Sequence, residues 1–324
     1  MAHCLRTIKC LLWLTSLAAV LLLSACAADA PPPSAAVVQV NPLAEAVSND
    51  EIVARLYYGF TDRLLLAGET RRIKVPVNES IETSVLNELI REGPSQMNAG
   101  LTQVINPETQ VVAAAAEGQY LAVTLSREFL TQPGVQSGGA MLTGQAERTR
   151  RSLAVYSVVN TLIEQGNYAR VRLLIDEDGS GSGRPITREE AGLSGSGECE
   201  PLARNGEIEL TALNTMRELL QAVEQRDWPL VYDFIAYKNQ YGQDKPSLEE
   251  FRNEVERARF TLSSPQVLDD VLAADGNSEI VMISYDLRPQ DGETQSFSNV
   301  PRRLVLENDV WKMTYNAFDS MFLS

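Results

Sequence analysis

The chain has 324 residues, 44% of them hydrophobic and 22% charged, which is enough core material for about two domains of ordinary globular composition. Acidic side chains outnumber basic ones 43 to 28, a net charge of −15, and this balance argues against nucleic acid as a partner, since binding a phosphate backbone rests on clustered Lys and Arg. The single histidine, His3, falls in an N-terminal leader, so the mature chain has neither a Ser-His-Asp nor a Cys-His site, nor any His-ligated metal centre.

That leader is residues 1–25. Arg6 and Lys9 give it a positive start, Leu11 to Leu23 form an apolar run, and Leu23-Ser24-Ala25 places small residues directly before Cys26. The run is shorter than the roughly 20 residues a membrane-spanning helix needs, which favours a signal peptide. The segment resembles a bacterial lipoprotein signal with its lipobox, which implies cleavage before Cys26 and a lipid on its thiol. Cys4 and Cys10 leave with the leader, so Cys199 has no partner for an intramolecular disulfide. The expected location is the cell membrane, lipid-anchored on its extracytoplasmic face. Residues 26–50, rich in Ala and Pro with Pro31-Pro32-Pro33, predict an extended stalk.

From residue 51 to 178 the pattern alternates strands and helices. Strands are predicted at Ile52–Tyr58 and Arg71–Val77, and a helix at Ser80–Arg91, with Val85, Leu86, Leu89 and Ile90 on one face. Thr109–Ala115 and Tyr120–Leu125 predict a hairpin around Glu117-Gly118. Ser152–Gln165 predicts a helix with Leu153, Tyr156, Val159, Leu162 and Ile163 on one stripe, and Ala169–Ile175 a buried strand.

Residues 179–206, rich in Gly and Ser, read as a linker, and from 207 to 324 the style changes. Helices are predicted at Leu210–Gln225 and Ser247–Arg259, with the segment Trp228–Ile235 between them. Strands follow at Val267–Ala273, Ile280–Leu287, Ser296–Leu306 and Val310–Phe318. Helices first and antiparallel strands afterwards is an α+β order. Charge divides unevenly: residues 51–190 carry 14 basic and 17 acidic side chains, residues 200–324 carry 12 and 22.

Several blocks of the first half occur in a telling order: VLNELIREGP from Val85, Gly100-Leu101, Ile105-Asn106-Pro107, VVAAAAEGQYLAVTLSREF from Val111, and SLAVYSVVNTLIEQGNYARVRLLIDEDG from Ser152 to Gly179. Over residues 52–179 the series resembles the GerMN domain of bacterial sporulation and spore-germination lipoproteins. The resemblance implies a small α/β fold akin to ring-building motifs, and no catalytic residues. Where that family has a short turn after its last strand, this chain has Asp176-Glu177-Asp178-Gly179 and a Ser/Gly tract. The second half is similar to NTF2-like folds, a cone of helices on a curved antiparallel sheet. The carriers are MRELLQAVEQRDW from Met216, Val231–Phe234, and Asn308–Met313.

Few residues point to chemistry. Asp176, Asp178 and Ser180 sit at the spacing of a calcium loop, but its twelfth position is Thr187 rather than Glu, so a solvated acidic turn is the expectation and no metal is assigned. Arg148, Arg150 and Arg151 are placed just before the predicted 152–165 helix, where cations oppose the macrodipole, and this marks them as candidate partner-binding residues for an acidic or phosphate-bearing surface. Arg170 and Arg172 follow on the next strand, and for all five a solvated face is the favoured reading. Asp227, Trp228, Tyr232, Asp233, Tyr237 and Tyr241 could line a cone mouth, but with no histidine and a spacing that fits packing, a structural aromatic core is the expected reading, and the same holds for Trp311. The serines Ser137, Ser180 and Ser182 lie in Gly-rich loops with no base identifiable nearby.

The expectation is a non-catalytic scaffold or adaptor with no cofactor and no nucleic-acid partner. It would be held to membrane lipid through Cys26, and its partners would be envelope or membrane proteins or further copies of itself. The rival is a small-ligand module or minor enzyme seated in the cone. A cone filled by Trp, Leu and Phe favours the first, an open pocket lined by Asp233 and Tyr residues the second.

Overall fold

The computed structural model describes residues 50–323, apart from 62, 97, 99 and 132–143. Cys26, the expected leader, all of the expected stalk except Asp50, and Ser137 therefore lie outside the described residues. None of the described helices is long and apolar enough to cross a membrane.

The architecture is mixed α+β, with three sheets. Strands β1 (Asp50–Phe60) and β2 (Leu66–Val75) form an antiparallel ribbon closed between Gly59 and Leu66. The second strand thus starts and ends earlier than the expected Arg71–Val77. Helix α1 (Ile81–Arg91) begins where expected because the Ser80 hydroxyl accepts the Thr83 N–H at 3.1 Å. It buries Val85, Leu86, Leu89 and Ile90. The short β3 (Leu101–Thr102) pairs with the end of β1.

Strands β4 (Val111–Glu117) and β5 (Tyr120–Ser126) form the expected hairpin, its turn carried by Gly118 at φ +67°. Helix α2 (Gly144–Glu164) then crosses to β6 (Arg170–Asp176), which runs parallel to β5. Helix α2 starts eight residues before the expected Ser152, because its first two turns are polar and carry none of the apolar period that marks the rest. Its second half is buried nearly all round, against β1, β6 and α1.

The Gly/Ser-rich connection from 179 onward does join the halves, yet it is tied down along its length. Strand β7 (Arg184–Pro185) adds to the β6 edge, Ile186 and Ala191 are buried, and Leu202 exchanges two backbone hydrogen bonds of 2.8 Å with Val171. Composition signals flexibility here, but hydrogen bonds to a finished sheet edge remove it.

In the second half come α3 (Ala212–Gln225), α4 (Trp228–Asp233) and α5 (Leu248–Ala258), capped at their starts by Thr211, Asp227 and Ser247. Ser247 and Glu250 complete a reciprocal capping box. Strands β8 (Phe260–Leu272), β9 (Ser278–Pro289), β10 (Gln295–Glu307) and β11 (Val310–Met313) form an antiparallel meander in the order β11-β10-β9-β8. Register shifts in β8 and β10 interrupt the ladder and let the sheet curl around α3. The last expected strand, Val310–Phe318, stops at Met313. Helix α6 (Tyr315–Phe322) follows, since Phe318, Met321 and Phe322 bury one face at helical rather than strand spacing.

The two halves meet over a continuous core. Phe60 of β1 stacks on Phe234 with ring centroids 5.3 Å apart, and both rings are fully buried. The outer edge of β2 is capped from the second half: the Leu66 carbonyl accepts the Leu210 N–H at 2.8 Å, and the Thr70 N–H donates to Asp309 Oδ2 at 2.8 Å. Arg63 pairs with Asp227 across the same seam.

Candidate functional site

The expected partner row is not where the sequence placed it. Arg148, Arg150 and Arg151 stand inside α2, in its second turn, rather than ahead of a helix. Arg151 Nη2 pairs with Glu147 Oε1 one turn earlier at 2.5 Å, and its Nη1 donates to the Glu189 carbonyl at 3.3 Å. Arg148 donates to Gln145 Oε1 at 2.9 Å and is exposed, and Arg150 is half-buried. Gly192 rests on this turn so closely that a Cβ there would lie 2.2 Å from the Arg148 carbonyl oxygen. The row thus fastens the 184–193 segment to α2 through Arg151, while Arg148 faces outward. Arg172 lies over the Tyr120 ring at 4.7 Å and pairs with Glu117, and Arg170 donates to the Pro201 carbonyl.

The acidic turn is organised from within. Asp176 is buried and accepts the N–H groups of Gly179 and Gly181, each at 2.9 Å, and Asp178 accepts that of Ser180 at 3.1 Å. Glu177 and Glu190 clamp Arg184, and that contact holds the Glu190 carboxyl down at about 2. Among the described residues no group of three or more His, Cys, Asp or Glu side chains is arranged to hold a metal ion.

The proposed cone mouth does not assemble. Asp227 caps α4 and pairs with Arg63 at the seam. Tyr237 and Tyr241 point to solvent, and the Tyr232 hydroxyl donates to the Pro246 carbonyl at 2.8 Å. Lys245 lies over the Tyr232 ring, its ammonium 3.8 Å from the centroid, and donates to the carbonyls of Tyr232 and Ile235. Burial lowers its pKa to about 8, and burial likewise raises that of Asp233. The interior behind this mouth is filled. Phe251 packs on Phe318 at 5.3 Å, Phe318 on Phe322 at 5.0 Å, Phe322 on Phe260 at 5.2 Å, and Tyr285 sits beside Phe322. Helix α6 supplies two of these rings and so closes the space from the C-terminal end. Trp311 is half-buried at the seam cleft rather than in this interior.

The densest polar cluster lies at the seam. Glu209 is buried and accepts from Arg204 Nε and Nη2 at 2.6 Å each, from Asn160 Nδ2 at 2.8 Å and from the Tyr57 hydroxyl at 3.3 Å. Arg204 also reaches Glu164 and donates to the Tyr57 hydroxyl at 2.6 Å. The Glu209 hydrogen bonds push the Arg204 pKa up, and burial pushes Tyr57 up. Helix α2 adds a second device: Ser157 donates to the Tyr57 carbonyl at 2.5 Å and Thr161 accepts the Tyr57 N–H at 3.0 Å. Two helix hydroxyls thereby replace a neighbouring strand at that point of β1.

Beside this cluster opens a cleft of about 370 Å³, lined by Arg55, Tyr57, Glu164 and Arg204 from one side and Asp270, Glu279 and Trp311 from the other. Asp270 and Glu279 face each other there, and burial first, then the Asp270 contact, raises Glu279 to about 7. Arg55 lies flat over β2 because Gly68 makes room; a Cβ at 68 would fall 2.1 Å from Arg55 Nε. Local spacing marks none of Arg204, Glu209, Asp270 or Glu279. The readable signal was Ser157, Asn160 and Thr161, polar residues on the buried side of an apolar helix, where partners are required.

Residues 55–179 match the model of the Germane family, described as sporulation and spore germination. The resemblance drawn over residues 52–179 coincides with that span. Among solved structures, the tandem GerMN domains of the sporulation protein GerM from Bacillus subtilis are 17% identical over 51% of this chain and 49% of that one, with a TM-score of 0.32. The first GerMN domain of the same protein is 20% identical over 42% of this chain and 93% of that one, at 0.27. A putative lipoprotein from Clostridium perfringens is 19% identical over 39% and 75%, at 0.23. The chain thus spans about half the length of the tandem-domain structure. Comparison with curated proteins gives no match.

Proposed function

We propose that this protein is a non-catalytic scaffold or adaptor of the cell envelope in sporulation or spore germination, anchored to the extracytoplasmic face of the cell membrane through an acylated Cys26. The observation that carries the reading is the filled interior of the second half, where aromatic rings from α5, β8, β9 and α6 occupy the place a ligand or substrate would need. The family match over residues 55–179 supports the choice of process. In this reading residues 207–324 are an NTF2-like fold of the kind that packs against partners. Helices on a curled antiparallel meander support that assignment.

The mechanism is geometric. A lipid on Cys26 confines the protein near the membrane and raises its effective concentration for membrane-bound partners. Residues 26–50 lift the folded part off the surface, and the shared core presents the faces of both halves in one fixed arrangement. The exposed start of α2, with Arg148 outward and Arg150 beside it, receives an acidic partner surface, while Arg151 serves from behind by fixing the 184–193 segment.

Crosslinking in the native membrane tests this. Recovery of further copies or of membrane proteins in stoichiometric amount, lost in the Arg148→Glu, Arg150→Glu double variant, is the expected result. A lone monomer in the wild type, or capture unchanged in the variant, overturns the reading.

A further inference from the structure

The second half is the more acidic of the two, yet one place in it is lined by arginines. A cavity of about 440 Å³ opens where the C-terminal ends of α3 and α5 meet the paired ends of β8 and β9. Arg226, Arg259 and Arg288 line it, with Trp228 and Phe260 as an aromatic wall and Glu256 as its one carboxylate. An adjoining cavity shares Arg259 and adds Arg257. Among the described residues none of Arg226, Arg257, Arg259 and Arg288 forms an ion pair, although residues 200–324 hold 22 acidic side chains.

The backbone is informative here. Arg226 and Arg259 are the residues that end α3 and α5, both in the left-handed conformation, at φ 57° and 46°. Glycine is the usual occupant of that position because it has no Cβ to clash, so each arginine is held in a conformation that its own side chain disfavours. Favourable interaction of a cation with a helix C-terminus accounts for part of this. It does not account for Arg288, which comes from β9, nor for the convergence of the three on one cavity. Single hydrogen bonds orient two of the forks: Arg226 Nη2 donates to the Phe260 carbonyl at 3.3 Å and Arg259 Nη1 to Gln290 Oε1 at 3.1 Å. With five N–H donors on each guanidinium, most remain for a ligand.

We infer that this cavity binds a small phosphate monoester carrying a flat apolar group, the phosphate held by Arg226, Arg259 and Arg288 and the apolar part against Trp228. Guanidinium forks match phosphate oxygens in pairs, and the indole face supplies the stacking surface. The inference does not rest on the scaffold reading, since the site lies outside the filled interior and away from α2.

The test is calorimetric titration of the full chain with phenyl phosphate and with inorganic phosphate, against sodium chloride at equal ionic strength. Saturable binding, tighter for phenyl phosphate and accompanied by a change in tryptophan fluorescence, is expected. Arg226→Gly and Arg259→Gly keep a residue suited to the left-handed cap, so each is expected to weaken binding at least tenfold while the ligand-free melting temperature holds or rises. Arg288→Gln gives the same loss without touching a helix end. Competition by dihexanoyl phosphatidic acid as strong as that by phenyl phosphate assigns the phosphate to a lipid headgroup, and its absence assigns a soluble ester. A response indistinguishable from chloride overturns the site, as does binding unchanged in all three variants.

Discussion

Phe60 and Phe234, 174 positions apart in the chain, stack at 5.3 Å with both rings wholly removed from solvent. The contact makes the seam between the halves part of the core rather than a surface pressed against another surface. Around it the Leu66–Leu210 and Thr70–Asp309 hydrogen bonds seal the edge of β2, which would otherwise be open to pairing with another strand.

The first prediction concerns cooperativity. Phe234→Ala removes a buried ring and is expected to cost about 3–5 kcal/mol. Because the ring serves both halves, the wild type should melt in a single calorimetric transition. Two separate transitions in the wild type would show that each half keeps its own core.

Glu209 is the hub of the buried polar cluster. Glu209→Gln removes the negative charge that Arg204 faces and is expected to cost about 1.5–3 kcal/mol, the range for hydrogen bonds to charged groups. Urea denaturation measures it. In a double-mutant cycle with Asn160→Ala the two changes should be non-additive, because Asn160 donates to the same carboxylate. Additive losses would remove Glu209 from that role.

Glu279 titrates near pH 7, above its ordinary value, because burial and the facing Asp270 disfavour its charge. A carboxyl raised in the folded state contributes stability that is complete below the unfolded pKa and is lost as pH rises through the folded one. The melting temperature of the wild type should therefore fall, relative to that of Glu279→Gln, between about pH 4.5 and pH 7. The variant should be the more stable of the two at pH 8. Parallel melting curves across that range would refute the carboxylate pair.

Anchoring is tested apart from the fold. Labelled palmitate should incorporate into the wild type, and Cys26→Ala should abolish incorporation and leave the leader uncleaved, visible as slower migration in a gel. Label retained by the variant would place the lipid elsewhere.

Cys199 offers a probe of the segment between the halves. It is a free thiol, buried beside the 184–193 loop, and burial pushes its pKa up. In the native Cys26→Ser chain it should react with a maleimide much more slowly than after denaturation in guanidinium. Equal rates would mean that the Gly/Ser-rich connection opens freely.

The order and type of most elements were legible along the chain. Ser80 before α1, the Gly118 turn of the hairpin, the stripe of α2 and the Ser247–Glu250 box are local signals, set by residues within a turn or two of one another. Where local signals were weak the reading slipped. The polar first turns of α2 carried no period, and the last segment mixed four strand residues with an aromatic helix. The candidate sites were less legible. Asp227, Trp228 and Asp233 are neighbours in sequence, yet the first serves the seam, the second lines the arginine cavity and the third is half-buried within the field of Lys245. Conversely, Tyr57 and Arg204 are 147 residues apart and share one hydrogen bond. The sequence by itself settled the acidic balance, the absence of histidine beyond His3 and most of the alternation of helix and strand, because these depend on residue type and short-range spacing. Only the tertiary structure decided which charges neutralise one another, which arginines converge and what fills the second half. Those outcomes depend on which distant segments are brought within a few ångströms, and packing determines that.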